Sequence, residues 1–109
     1  MSMPNLLSYI DEIVQFPAKT TIFREGEHGD YMYLIIAGEV EAWRNGKQLA
    51  TRGSGEIIGE VAFFDGGGRS ALVIAKSDCR LARISRPQFD MLVANVPDFV
   101  PLIMARLDQ

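Results

Sequence analysis

Gly59-Glu60-Val61-Ala62-Phe63-Phe64-Asp65-Gly66-Gly67-Gly68-Arg69-Ser70-Ala71 places a carboxylate and a guanidinium at the two ends of a short apolar turn, with three glycines running into the arginine. Glycine lets backbone N–H groups crowd an anion with no Cβ in the way. Arginine presents a planar fork of donors that a phosphate accepts bidentately. Glutamate, an acceptor only, suits sugar hydroxyls and repels phosphate. One segment therefore holds the parts needed to grip a small phosphorylated sugar.

Outward from this segment, from Thr20 to Ile84, short β-type runs alternate with turn residues. Glu25-Gly26-Glu27-His28-Gly29-Asp30 is one turn, and Arg52-Gly53-Ser54-Gly55 and Ser77-Asp78 are others. Asn45-Gly46, between Arg44 and Lys47, is the strongest short hairpin signal a sequence offers. This rhythm predicts an antiparallel β-sandwich or jelly-roll barrel. At the amino end Leu6, Leu7, Ile10, Ile13 and Val14 fall at helical spacing, predicting a short amphipathic helix that stops before Pro17. At the carboxyl end Ser85 is placed as an N-cap with Gln88 completing a capping box. Phe89, Leu92, Val93 and Val96 form that helix's expected buried stripe. After Pro97, the residues Phe99, Ile103, Met104 and Leu107 predict a second helical segment.

The 109 residues give room for one domain, expected over 1–109, and the 48% hydrophobic content suits a packed core. A net charge of −3 with no basic run argues against a nucleic-acid surface. An anion must then be held locally, by placed arginines and backbone dipoles. No signal peptide is legible, and the apolar run from Tyr31 to Ala37 is far too short to span a bilayer, so a cytoplasmic protein is expected. Cys79 stands alone, which excludes an intrachain disulfide, and reads as a small core residue at a strand start. A metal-dependent barrel enzyme needs two or three histidines and a carboxylate about one ion. With one histidine and one cysteine, no metal site, catalytic residue or cofactor is expected. His28 reads as a solvated loop residue, Asp65 as an exposed loop apex, and Trp43, Tyr31 and Tyr33 as strand residues packing across their neighbours.

Gly59-Glu60-Val61-Ala62-Phe63 followed by Arg69-Ser70-Ala71 resembles the phosphate-binding cassette of the cyclic nucleotide-binding domain family, found in catabolite activator protein and in cAMP-dependent protein kinase regulatory subunits. The spacing between glutamate and arginine is of the kinase type. The likeness extends upstream through Ile22 to Tyr33 and Ile36-Ala37-Gly38-Glu39-Val40, and so covers nearly the whole chain. No stretch resembles the helix-turn-helix of catabolite activator protein, so a sensing module without an output domain is expected.

The resemblance implies a ligand-binding set of Gly59, Glu60, Val61, Ala62, Arg69, Ser70 and Ala71. In it, Arg69 pairs with the exocyclic oxygens of a cyclic phosphodiester, Glu60 accepts from the ribose 2′-hydroxyl, and Ala62 and Ser70 add backbone N–H donors. Members that prefer cGMP often carry threonine directly after the arginine. Ser70 therefore points to cAMP over cGMP as the small-molecule ligand. Leu72 replaces a common threonine or serine, removing one expected polar contact near the base, and Thr20 replaces a common turn glycine. The carboxyl-terminal helix is expected to rest on Val61 or Phe63 and to move with the cassette, with Met104 or Leu107 as candidate lid residues. The alternative is a ligand-free interaction module in which Glu60 and Arg69 merely pair with each other. It would use the carboxyl-terminal helix for a homodimer or a protein partner, with no nucleic acid and no membrane involved.

Overall fold

The computed structural model describes residues 10, 12–99 and 101. Its strands are β1 (Ile13–Phe16), β2 (Thr21–Phe23), β3 (Met32–Ala37), β4 (Val40–Arg44), β5 (Lys47–Arg52), β6 (Ile57–Ile58), β7 (Leu72–Ala75) and β8 (Cys79–Ile84). Helix α1 (Glu60–Asp65) connects β6 to β7, and α2 (Arg86–Asn95) follows β8.

The strands form two four-stranded sheets, β1-β8-β3-β6 and β2-β7-β4-β5, with antiparallel pairing throughout. Consecutive strands β1 to β4 alternate between the sheets, which is the double Greek-key winding of a jelly roll. The hairpin turns where Asn45-Gly46 stands. Both residues are left-handed (φ 54° and 76°) and Arg44 pairs with Lys47, the geometry a two-residue turn demands.

The run Met32-Tyr33-Leu34-Ile35 has no polar face because both faces of β3 are covered. Side chains alternate across a strand. Tyr33 and Ile35, with Ile58, Cys79 and Leu81, pack between the sheets against Phe23, Val40, Val73 and Ala75. Met32 and Leu34, with Ile57, Ala82 and Ile84, face the other way, against Phe63, Leu92, Val96, Phe99 and Ile10. One sheet thus serves two cores, and the helices lie over its outer side.

Two expectations need correction. Ile13 and Val14 belong to a strand and not to a helix, because they pair with Ala82 and Leu81 at the edge of the first sheet. Residues 1–9, the rest of that expected helix apart from Ile10, lie outside the described residues. Tyr31 precedes β3 and does not lie within a strand; its ring instead lies under the Arg83 guanidinium at 4.4 Å. In α2 the capping box forms as expected: Ser85 accepts from the Gln88 amide while Gln88 accepts from the Ser85 amide. Leu92 and Val96 are buried and Phe89 is half-buried, but Val93 is exposed, because α2 meets the sheet along a stripe too narrow to include it. Ile103, Met104 and Leu107 lie outside the described residues.

Candidate functional site

Gly59 turns the chain from β6 into α1 in a left-handed conformation (φ 78°), and a Cβ there would stand 2.5 Å from Arg69 Nη1. Glycine is therefore required by conformation and by space alike. Gly66, also left-handed, ends α1 by donating to Ala62 O at 3.0 Å. Asp65 turns back to accept from the Gly67 amide at 2.7 Å, and it is exposed. The loop then runs antiparallel to the β2–β3 turn. His28 bridges Gly68, Arg69 N–H donates to Glu27 O at 2.7 Å, and Gly26 N–H donates to Arg69 O at 2.8 Å. Gly29 lets this turn press on α1, since a Cβ there would fall 2.3 Å from Ala62 Cβ.

With its backbone pinned, Arg69 sends its side chain inward and is only 5% exposed. Nη1 donates to Gly59 O and Nη2 to Tyr31 O, each at 2.7 Å, and the guanidinium lies 4.2 Å above the Phe23 ring. Nε is buried and has no partner among the described residues. A buried guanidinium N–H without an acceptor carries a real desolvation cost. Burial pulls the Arg69 pKa below its ordinary value, opposed by Tyr33 and by the carboxylates of Glu27, Asp30 and Glu60. Among the described residues no ion pair joins Arg69 to Glu60, so the closed-loop alternative is not the arrangement found.

All seven residues of the expected set line one cavity of about 210 Å³. Its lining includes Ala42 and Ala50, directly opposed on β4 and β5, whose small side chains leave room above the sheet. Phe23, Leu49, Ile57, Ile58 and Val73 add apolar walls, and Arg44 and Arg52 add two further guanidinium groups. Arg44 donates through Nε to Ser70 O at 2.8 Å, and Arg52 faces Glu56 at 3.4 Å. The lining therefore carries three arginines against one carboxylate, Glu60, an electropositive recess in a net-acidic chain.

Sequence reasoning missed the contribution of β4 and β5. The Asn45-Gly46 turn sets Arg44 against Lys47 and Trp43 against Gln48, and continuing that register would bring Leu49 opposite Ala42; an irregularity between Ala42 and Trp43 brings Ala50 there instead, which the sequence did not signal. Which face of the hairpin looks inward was not signalled either. Leu72 is absent from the cavity wall: it lies opposite Trp43 on β4 and helps line a different recess beside Arg24 and Asn45. Of the two apolar residues expected to support the carboxyl-terminal helix, the structure selects Phe63, which is buried and meets Phe89 edge-on at 5.5 Å. Val61 is 53% exposed at the cavity lip.

A buried arginine on the wall of a glycine-edged recess, carried by a jelly roll, is an arrangement that defines a class. Residues 13–96 match the model of the cyclic nucleotide-binding domain, and the chain belongs to that family. It is similar to a cAMP-dependent protein kinase regulatory subunit of Aspergillus niger, 34% identical over 91 residues, covering 82% of this chain and 22% of that protein. It is also similar to a cGMP-dependent protein kinase of Drosophila melanogaster, 36% identical over 98 residues, covering 84% of this chain and 9% of that one. Among solved structures, the catabolite activator protein of Thermus thermophilus superposes with a TM-score of 0.79 at 31% identity, over 96% of this chain and 49% of that one. The chain thus spans about a fifth of the first kinase subunit and about half of the bacterial activator. No helix among the described residues is long and apolar enough to cross a membrane, a statement about helices alone.

Proposed function

We propose that the domain binds a cyclic purine mononucleotide, cAMP in preference to cGMP, and senses its concentration. The observation that carries this reading is Arg69: a guanidinium almost wholly buried, its Nε without an acceptor among the described residues, at the wall of a cavity lined by all seven residues of the expected set. A phosphodiester oxygen supplies the missing acceptor and the compensating charge in one group. The carbonyls of Gly59 and Tyr31 hold the fork in its plane, so little side-chain freedom is lost when the anion arrives. Ala62 and Ser70 offer backbone N–H groups beside it. Glu60, on the same wall, accepts from the ribose 2′-hydroxyl and repels any further phosphate. The purine lies over the Ala42–Ala50 pair between apolar walls. Preference for cAMP rests on Ser70 following the arginine, and the kinase relatives named for each nucleotide support the ligand class, not the base.

Isothermal titration with cAMP, cGMP and 2′-deoxy-cAMP tests all three parts. Binding of cAMP, weaker binding of cGMP, and a loss of about ten-fold or more for the deoxy analogue are expected, since a site built to accept from a hydroxyl is left unpaired without it. Absence of binding to any of the three defeats the assignment.

A second reading, an interaction module, is favoured by one observation: Val61, Phe64, Met91 and Val93 are large apolar residues at 42–53% exposure on the two helices. Sedimentation of the chain with and without cAMP separates self-association from ligand binding.

A further inference from the structure

We propose that Arg86 is a positioning residue for the ligand site, holding the cassette helix α1 from its carboxyl end as Arg69 holds it from its amino end; this rests on the nucleotide reading above. Arg86 Nη2 donates to Phe63 O at 2.8 Å, and its guanidinium lies 4.2 Å over the Phe63 ring and 5.5 Å from that of Phe89. Phe63 belongs to the last turn of α1, whose carbonyls have no partner within the helix. That turn contains no basic residue of its own, so the cation that its negative end favours comes from a different element.

The placement of Arg86 within its own helix points the same way. It is the first residue of α2 and immediately follows the Ser85 cap. A positive charge at a helix amino end opposes that helix's dipole, so the position suits α1 and not α2. The capping box and Pro87 fix the first turn of α2 independently of Arg86. The guanidinium is therefore presented from a rigid base.

Two guanidinium groups thus grip consecutive ends of one short helix. Arg69 takes the carbonyl of Gly59 just before it, and Arg86 takes that of Phe63 near its end. Between these points lie Glu60, Val61 and Ala62, all on the cavity wall. Releasing the Phe63 end lets α1 tilt about its Gly59 anchor, and the stretch of cavity wall it carries, Glu60 included, turns with it. Arg86 does not line the cavity, so its effect on binding passes entirely through α1.

Wild type, Arg86→Gln and Arg86→Lys are titrated with cAMP and 2′-deoxy-cAMP, and each is melted thermally. In Arg86→Gln, cAMP binding is expected to weaken about ten-fold, the scale of one hydrogen bond from a charged group. The preference for cAMP over its deoxy analogue should shrink with it. Arg86→Lys, which keeps a cationic donor but not the plane that stacks on Phe63, should recover part of both. The ratio is the decisive readout, because general loosening of the fold lowers both affinities equally. An unchanged affinity in Arg86→Gln, or equal losses for the two nucleotides, overturns the proposal while the nucleotide assignment stands. If Arg86→Gln does not fold, Arg86→Lys carries the test: a larger loss for cAMP than for its deoxy analogue supports the proposal, and equal losses, or none, overturn it. If wild type itself binds neither nucleotide, the assignment fails and this role falls with it.

Discussion

Arg69 makes two hydrogen bonds to main-chain carbonyls on separate segments, at Gly59 and Tyr31, and stacks on Phe23, so its side chain is an internal brace, to which the proposed function adds the role of ligand donor. Lysine at this position keeps the charge but offers a point and not a fork. It cannot hold Gly59 O, Tyr31 O and a phosphate oxygen in one plane. Arg69→Lys is expected to weaken cAMP binding by about 100-fold or more, the penalty typical of truncating a buried charged pair. Calorimetry measures it, and an affinity within three-fold of wild type would mean that the phosphate is held elsewhere. That Glu60 and Arg69 would share one recess was legible in the sequence from the Gly-Glu-Val-Ala and Arg-Ser-Ala stretches and the interval between them, and both line the same cavity. The two carbonyls that hold the arginine were not legible, since a backbone acceptor carries no side-chain signature.

At the scale of elements, the contact between the β2–β3 turn and α1 is the tightest in the cassette, and it depends on the absence of a side chain at Gly29. Gly29→Ala forces a methyl group to within 2.3 Å of Ala62 Cβ and 3.1 Å of its carbonyl carbon. The expected cost is about 1–3 kcal/mol, a fall in Tm of several degrees for a domain of this size. Because α1 must move to make room, cAMP binding should weaken in the same variant. A thermal melt and a titration of one sample give both numbers, and an unchanged Tm would show that the turn yields at no cost. The alternation of β runs and turns between Thr20 and Ile84, the Asn45-Gly46 hairpin and the Ser85 cap were readable from local chemistry, each being set by residues within a few positions of each other. The strand β1 was not. Leu6, Leu7, Ile10, Ile13 and Val14 fit a helical period, and only pairing with β8 makes Ile13 to Phe16 extended. Tertiary context overrides local pattern there.

Over the molecule as a whole, two buried acids bear on stability at alkaline pH. Burial raises the Tyr33 hydroxyl above its ordinary pKa, with Arg69 pulling partly the other way. Burial likewise raises the Cys79 thiol, with hydrogen bonding at Ser77 and Glu39 opposing the shift. Each group keeps its proton in the folded chain where the unfolded chain has lost it. Their contribution is complete below the unfolded values, about 8.5 for a thiol and 10 for a phenol, and is lost as the pH rises beyond them. The Tm should therefore decline first above about pH 8.5 and more steeply above about pH 10. Cys79→Ala should remove the first part of the decline and Tyr33→Phe the second, as melts at stepped pH would show. A wild-type Tm constant from pH 8 to 11 would contradict both.

The two-sided strand β3 has an evolutionary corollary. Neighbouring positions such as Leu34 and Ile35 answer to different masters, one to the helical roof and one to the sandwich filling. A change at either position perturbs the same strand, so the packing beneath the helices and the filling of the sandwich are mechanically linked. A lineage that retunes one is expected to carry compensating changes in the other.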